Sequence, residues 1–356
     1  MARGRAVITL RGLNRALLHR QLLLERAPLP VPDAIEHLVG MQAQEPLSPY
    51  YGLWSRLRDF TPDALGDLLT GGGVARAPLH RATIHLVTAA DHARVEPVLR
   101  AMVRRRFASS PFRAVLAGLD QDDLVRAGAE LLAERPRTRP ELGRALAERW
   151  PGLDPDSLGF AVTYLLPVVQ LPPRGVWGRS GRAVWADAAR WLGAVGEDGD
   201  PAGFVRRYLA AFGPATVKDV QLWSGLTRLK DVLRGLDLRV LTDESGRELY
   251  DVPDGPLPDP DTPAPVRFLP EFDNLLLGHD DRTRVISVED YRRGIVIGGK
   301  PTLLVDGFVH GIWKLSQGLD VQVFRPLTAA QHADVLAEGT RLLAFAGVEG
   351  EVRITA

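Results

Sequence analysis

Residues 201–251 read PAGFVRRYLAAFGPATVKDVQLWSGLTRLKDVLRGLDLRVLTDESGRELYD. Apolar side chains recur at helical spacing from Pro201 to Phe212, and Gly213-Pro214 stops that helix. Thr216 offers a hydroxyl to cap a second helix, Val217 to Ser224, which Gly225 ends. Thr227 can cap a third from Arg228 to Leu236. Two strands follow, Leu238 to Thr242 and Glu248 to Asp251, around the polar turn Asp243 to Arg247. Helix, turn, capped helix and hairpin in this order make a helix-turn-helix with a wing.

The same order recurs twice upstream without obvious sequence identity. The nearer copy predicts helices at Leu124 to Leu132, Pro140 to Arg149 and Ser157 to Leu166. Its wing is Val168 to Leu171 with Ala183 to Trp185, joined by the Gly- and Arg-rich stretch Arg174 to Arg182. The first copy predicts helices at Gly12 to Arg26, Pro32 to Val39, Pro49 to Arg58 and Pro62 to Leu69, closed by strands near Val74 to Ala77 and Thr83 to Val87. After Val252 the run PDGPLPDPDTPAP, poor in backbone donors, reads as a linker. Beyond it come β runs at Val266 to Leu269, Gly294 to Ile297, Thr302 to Val305, Phe308 to Leu315 and Val321 to Phe324. A helix from Ala329 to Phe345 and a strand from Glu351 to Thr355 complete this module. Asp306-Gly307 is a strong hairpin signal. The expected fold is α+β: tandem winged-helix repeats at 1–90, 91–195 and 196–255, then a small barrel-like or sandwich β-rich domain at 256–356 carrying that hairpin.

Composition narrows the chemistry. With no cysteine among 356 residues, disulfide scaffolds, thiolate metal sites and cysteine nucleophiles are excluded. The basic N-terminal stretch is interrupted by Arg11 and Arg15, and no run approaches a membrane span, so a cytoplasmic protein is expected. Formal net charge is zero, but the charges segregate. Arg3, Arg5, Arg11, Arg15, Arg20 and Arg26 face only Glu25 across the first stretch, and Arg100, Arg104, Arg105 and Arg106 cluster, while acid collects at 196–200 and 251–261. Such segregation can form a basic groove, although charge clusters are more often solvated helix faces. Metalloprotease, nucleophile-elbow, phosphate-loop and dinucleotide signatures are all missing. His80 and His85, five apart in a strand-like segment, do not form a helical metal pair, and neither metal nor cofactor is expected.

The segment Val39-Gly40-Met41-Gln42-Ala43-Gln44-Glu45-Pro46 stands out. Gly40 can end the preceding helix in the left-handed region, and Pro46 pushes Glu45 toward an extended conformation. In an extended link residues two apart share a side, so Gln42 and Gln44 present two neutral amides to one cavity. Read alone, such a pair is more often polar filler than machinery.

The chain as a whole resembles the AlkZ-like family of bacterial DNA glycosylases. The resemblance rests on residues 40–46 with 52–57, 81–87, 213–216 with 223–226, 269–277 and 305–313, and so runs nearly end to end. It implies tandem winged helices followed by a C-terminal β domain. It also implies a catalytic motif of glutamine, an apolar residue, then glutamine or aspartate, which falls on Gln42, Ala43 and Gln44. Within the family the glutamine-ending form goes with self-resistance to DNA cross-linking antibiotics, and the aspartate-ending form with simpler lesions too.

The activity this resemblance implies is hydrolysis of the glycosidic bond of an alkylated purine, an N7-alkylguanine bulky adduct or interstrand cross-link, by a monofunctional enzyme acting as a monomer on double-stranded DNA. A base tied to both strands resists extrusion, so the enzyme is expected to reach the sugar from a groove. The Asp306-Gly307 hairpin, with His310, Trp313 and Lys314 beyond its tip, is the candidate minor-groove probe, an ordinary hairpin with Trp313 in the core being the alternative. Arg104, Arg105 and Arg106, with Lys218, Arg228 and Lys230 of the third copy, are candidate phosphate contacts. The rival function is a non-catalytic winged-helix DNA-binding regulator, in which the glutamines have no chemical role.

Overall fold

The computed structural model describes residues 6–193, 196 and 198–356. Arg3, Arg5, the junction residues 194 and 195, and Glu197 of the acidic run lie outside the described residues. The first stretch forms β1 (Val7–Ile8), α1 (Leu10–Arg20), α2 (Val31–His37), β2 (Met41–Gln42), α3 (Ser48–Arg56), α4 (Pro62–Thr70), β3 (Val74–Pro78) and β4 (Ile84–Thr88), with a 3-10 turn at His80–Ala82. Then come α5 (Ala89–Ala108), α6 (Pro111–Val115), α7 (Gln121–Glu134), β5 (Arg137–Thr138), α8 (Arg139–Arg149), α9 (Pro155–Leu165), β6 (Val168–Leu171), β7 (Val184–Asp187) and α10 (Ala188–Leu192). Thr138 starts α8 with a reciprocal capping box to Glu141, so the sequence's capping logic operates at atomic range.

The third winged helix is α11 (Pro201–Phe212), α12 (Val217–Ser224), α13 (Lys230–Arg234), β8 (Arg239–Asp243) and β9 (Glu248–Asp251). Thr216 caps α12 with a box to Asp219, and Gly225 ends it in the left-handed region. The expected cap at Thr227 is not used: Arg228 takes a left-handed φ of +61°, and α13 begins beyond it. Past the proline-rich link lie β10 (Arg267–Leu269), α14 (Asn274–Leu277), α15 (Val288–Arg292), β11 (Thr302–Val305), β12 (Phe308–Leu315), β13 (Leu319–Val323), α16 (Ala329–Ala346) and β14 (Val352–Thr355). Residues 294–297, expected as a strand, form turns instead, because glycines at 294, 298 and 299 break the run.

The sheets cross the bounds of the copies. The first two copies merge their wings into one six-stranded sheet of order β2-β4-β3-β6-β7-β5, joined where Arg76 pairs with Gln170. The third wing gains β1, which pairs in parallel with β8 to give β1-β8-β9. The C-terminal strands form a single five-stranded sheet, β10 to β14, rather than a barrel or sandwich. Three larger cores reflect this arrangement. One gathers α5, α11 and α12 with parts of the C-terminal region; one fills the first two copies; the last lies between the five-stranded sheet and α16, with Trp54 of α3 inserted. No helix among the described residues is long and apolar enough to cross a membrane.

Candidate active site

Gln42 and Gln44 sit on the segment linking α2 to α3. Gly40 takes a φ of +86°, and a Cβ there would lie 2.8 Å from the Val87 side chain, so this turn requires glycine. The turn aligns Met41 with Leu86 and Gln42 with His85, making β2 the outer strand of the six-stranded sheet. Ala43 extends the pairing by donating its N–H to the Ile84 carbonyl at 2.8 Å, and its own carbonyl accepts from Arg76 Nη2 at 2.8 Å. Met41 and Ala43 are buried, Gln42 is half-buried and Gln44 exposed. The two glutamines thus alternate with the buried residues, although the chain leaves the strand after Gln42 and bends at Gln44.

One short segment meets both amide oxygens. Arg81 Nη2 donates to Gln42 Oε1 at 3.0 Å, and the Ile84 N–H donates to Gln44 Oε1 at 3.4 Å. A carbonyl oxygen has two acceptor sites, so each keeps one for a ligand. Among the described residues neither amide nitrogen has a hydrogen-bond partner. The backbone beneath is held from the other side by Asn274 at the head of α14, whose Oδ1 accepts from the Gln42 N–H at 3.2 Å and whose Nδ2 donates to the Gly40 carbonyl at 2.7 Å. Next to Asn274, Asp273 forms a buried two-pronged ion pair with Arg56 of α3, at 2.7 and 2.8 Å.

Two buried imidazoles lie beside the motif. His85, paired with Gln42 in the sheet, is pushed down to about 3 by burial and further by Arg81. Burial also drives His80 well below its ordinary value, with His85 and Arg81 adding to the effect. Both imidazoles are therefore neutral at physiological pH. Arg81 is pulled down to about 10 by burial and by the charges of Arg282 and Arg106, and it remains a cation near neutrality. No group of three or more His, Asp or Glu side chains among the described residues is placed to hold a metal ion. A cleft of about 470 Å³ begins one residue beyond Gln44, between Glu45, Leu47 and Tyr51 on one side and Arg174 and Arg179 of the second wing on the other.

The remaining expected residues are scattered. Trp313 is buried in the C-terminal core, its indole N–H donating to the Leu269 carbonyl at 2.9 Å. His310 is buried too, its Nε2 3.1 Å from the Arg325 carbonyl. Lys314 is exposed, facing Asp320 on the neighbouring strand. The hairpin tip is not a free probe: Asp306 is held by Arg11 at 2.7 Å and by Arg15, and a Cβ at Gly307 would lie 2.4 Å from Leu18. The tip is thus fastened to α1, and of the three side chains expected beyond it only Lys314 is exposed. Arg104 and Arg105 of α5 are exposed and without ion pairs among the described residues, as are Arg228 and Lys230. Lys218 is exposed but paired with Asp280 at 2.7 Å. Arg81 and Asn274 carry no site signature in the sequence; their only signal is membership of the 81–87 and 269–277 segments.

A family model described as DNA glycosylase AlkZ-like matches residues 35–345. A solved structure, Streptomyces sahachiroi DNA glycosylase AlkZ, is similar over 98% of this chain and 100% of that one, with a TM-score of 0.80 and 22% sequence identity. No curated protein sequence matches.

Proposed function

The chain belongs to the AlkZ-like DNA glycosylase family, and from that premise we propose that it hydrolyses the N-glycosidic bond of purines alkylated in DNA, with Gln42 and Gln44 beside the reacting sugar. The substrates proposed are N7-alkylguanine bulky adducts and interstrand cross-links. The observation that carries this reading is the pair of neutral amides on and just beyond β2, their oxygens anchored by Arg81 and Ile84.

Neither amide can act as a base or nucleophile, so the substrate must supply the driving force. Alkylation at N7 leaves the guanine positively charged, and the bond from C1′ to N9 breaks with its electron pair going to the base, which departs neutral. The deoxyribose is left oxocarbenium-like. The free acceptor sites on Gln42 Oε1 and Gln44 Oε1 can stabilise that charge and orient a water, whose oxygen bonds to C1′ while its proton passes to solvent. The products are free N7-alkylguanine and an abasic site. Burial keeps the neighbouring His80 and His85 neutral, so they add no positive charge against the developing oxocarbenium.

The test is single-turnover release of base from a duplex carrying 7-methylguanine or a defined N7 cross-link, scored as alkali-labile sites. Gln42→Ala with Gln44→Ala should bind the duplex as wild type does yet lose release, since removing one preorganised group costs about 10²- to 10³-fold. Weakened binding with unchanged turnover of the bound complex would refute the assignment. Sequence-specific operator binding with no base released would favour a regulator.

A further inference from the structure

The side chain of Gln42 meets one cation, and that cation is itself unusually constrained. Arg81 Nη1 donates to the Trp223 carbonyl at 2.6 Å while Nη2 reaches Gln42. Trp223 lies in the last turn of α12, where carbonyls lack helical partners and the helix dipole favours a cation. Arg81 and Ala82 both have left-handed backbones, with φ of +55° and +62°, although neither is glycine. Consecutive residues of this kind persist only where their surroundings over-determine them, and they cluster at functional sites. Here His80 supplies the anchor, its ring 4.1 Å from Trp223 and its Nε2 3.1 Å from the Val39 carbonyl.

The logic of the contact comes from the donor inventory. A guanidinium donates and never accepts, so the Gln42 atom facing it must be the carbonyl oxygen. An amide free to turn over would put its N–H groups toward a sugar that is becoming positive, and would repel it. We propose that Arg81 is a positioning residue: it fixes the flip of the Gln42 amide, leaving one oxygen lone pair for the reacting sugar and its water, and it ties that orientation to α12 of the third winged helix. The inference rests on the role proposed for Gln42 in base release.

The test is a double-mutant cycle in single-turnover base release on the N7 cross-linked duplex, with duplex affinity and thermal melting measured alongside. Arg81→Lys keeps the charge but cannot serve two acceptors in a fixed fork, and it should slow release by about tenfold to a hundredfold, the worth of one charge-assisted hydrogen bond. Affinity should stay within about twofold, because the loss belongs to the transition state. On a Gln42→Ala background the same change should slow release no further, since Arg81 acts through the amide. Arg81→Ala serves as a second variant, and its melting temperature identifies any loss due to unfolding. Additive losses on the Gln42→Ala background, or a loss confined to affinity, would overturn the proposal. If Gln42→Ala alone releases base at the wild-type rate, the reading of Gln42 fails and the inference falls with it.

Discussion

Asn274 closes the open edge of β2 against Gln42, one carboxamide accepting from the Gln42 N–H at 3.2 Å and donating to the Gly40 carbonyl at 2.7 Å. It supplies the hydrogen bonds of a strand that is not there. Asn274→Leu, similar in volume, should leave two backbone groups unpaired and lower stability by about 2 to 3 kcal/mol in urea denaturation. Asn274→Asp keeps the acceptor but sets a carboxylate against the Gly40 carbonyl, and should lose a comparable amount. Wild-type denaturation midpoints in both variants would show that the clamp contributes nothing.

The Arg56–Asp273 pair sits next to that clamp, both side chains essentially buried. Arg56→Met alone strands a buried carboxylate and should cost about 3 to 5 kcal/mol. The double change with Asp273→Leu should recover most of that loss, because the desolvated charges leave together. A double variant as unstable as the single one would contradict this account.

Trp313 should behave as a core residue. Trp313→Phe keeps the ring but removes the bond to the Leu269 carbonyl, for a loss of about 1 kcal/mol. Trp313→Ala should cost about 3 to 5 kcal/mol. Duplex affinity of the folded Phe variant, read by fluorescence anisotropy, should match wild type, and a selective loss of affinity would return Trp313 to the DNA-binding surface.

Salt dependence separates the candidate phosphate-binding side chains. Removing a cation that neutralises one phosphate should lower the slope of log affinity against log salt by about 0.9. Arg104→Ala and Arg105→Ala should each do so, whereas Lys218→Ala, whose charge is engaged by Asp280, should leave the slope unchanged. Unchanged slopes for both arginines would mark them as solvated helix residues.

Acid should destabilise the fold before carboxylates titrate. Burial holds His80, His85 and His279 below their ordinary value, His85 at about 3. The unfolded chain takes up protons near pH 6.5 that the fold refuses. Stability is therefore full above 6.5 and declines as pH falls toward 3, by up to about 1.4 kcal/mol per pH unit for each group. Melting temperature should drop between pH 6.5 and 5, and the drop should be shallower in His279→Gln. A flat profile over that interval would show that these rings ionise inside the fold.

Local chemistry was legible in the sequence where it is decided locally. Helices 201–212 and 217–224 and strand 308–315 lie at the expected residues, because glycine, proline and the capping Thr216 mark their ends. The extended start of the Gln42–Gln44 link was also readable from Gly40 before it, although the chain bends at Gln44 and Glu45 rather than running extended to Pro46. The 20-residue α5 was not assigned, since Pro97 and the arginine run disguise its periodicity, yet the helix continues through the proline. Nothing local announces that Arg56 will find Asp273 across 217 residues, or that two wings will share a sheet. The partners that orient Gln42 belong to this non-local class: Arg81 reaches it from a turn 39 residues on, and Asn274 from 232 residues away.

Pairing of β1 with β8 sets an order of events during synthesis. Val7 and Ile8 need Thr242 and Asp243, Arg20 needs Asp251, and Arg15 needs Asp306. Once made, α1 must therefore wait roughly ten to fifty seconds for these partners to be translated. Until then Leu13, whose buried neighbours are Leu241 and Leu249, lacks the side chains that cover it.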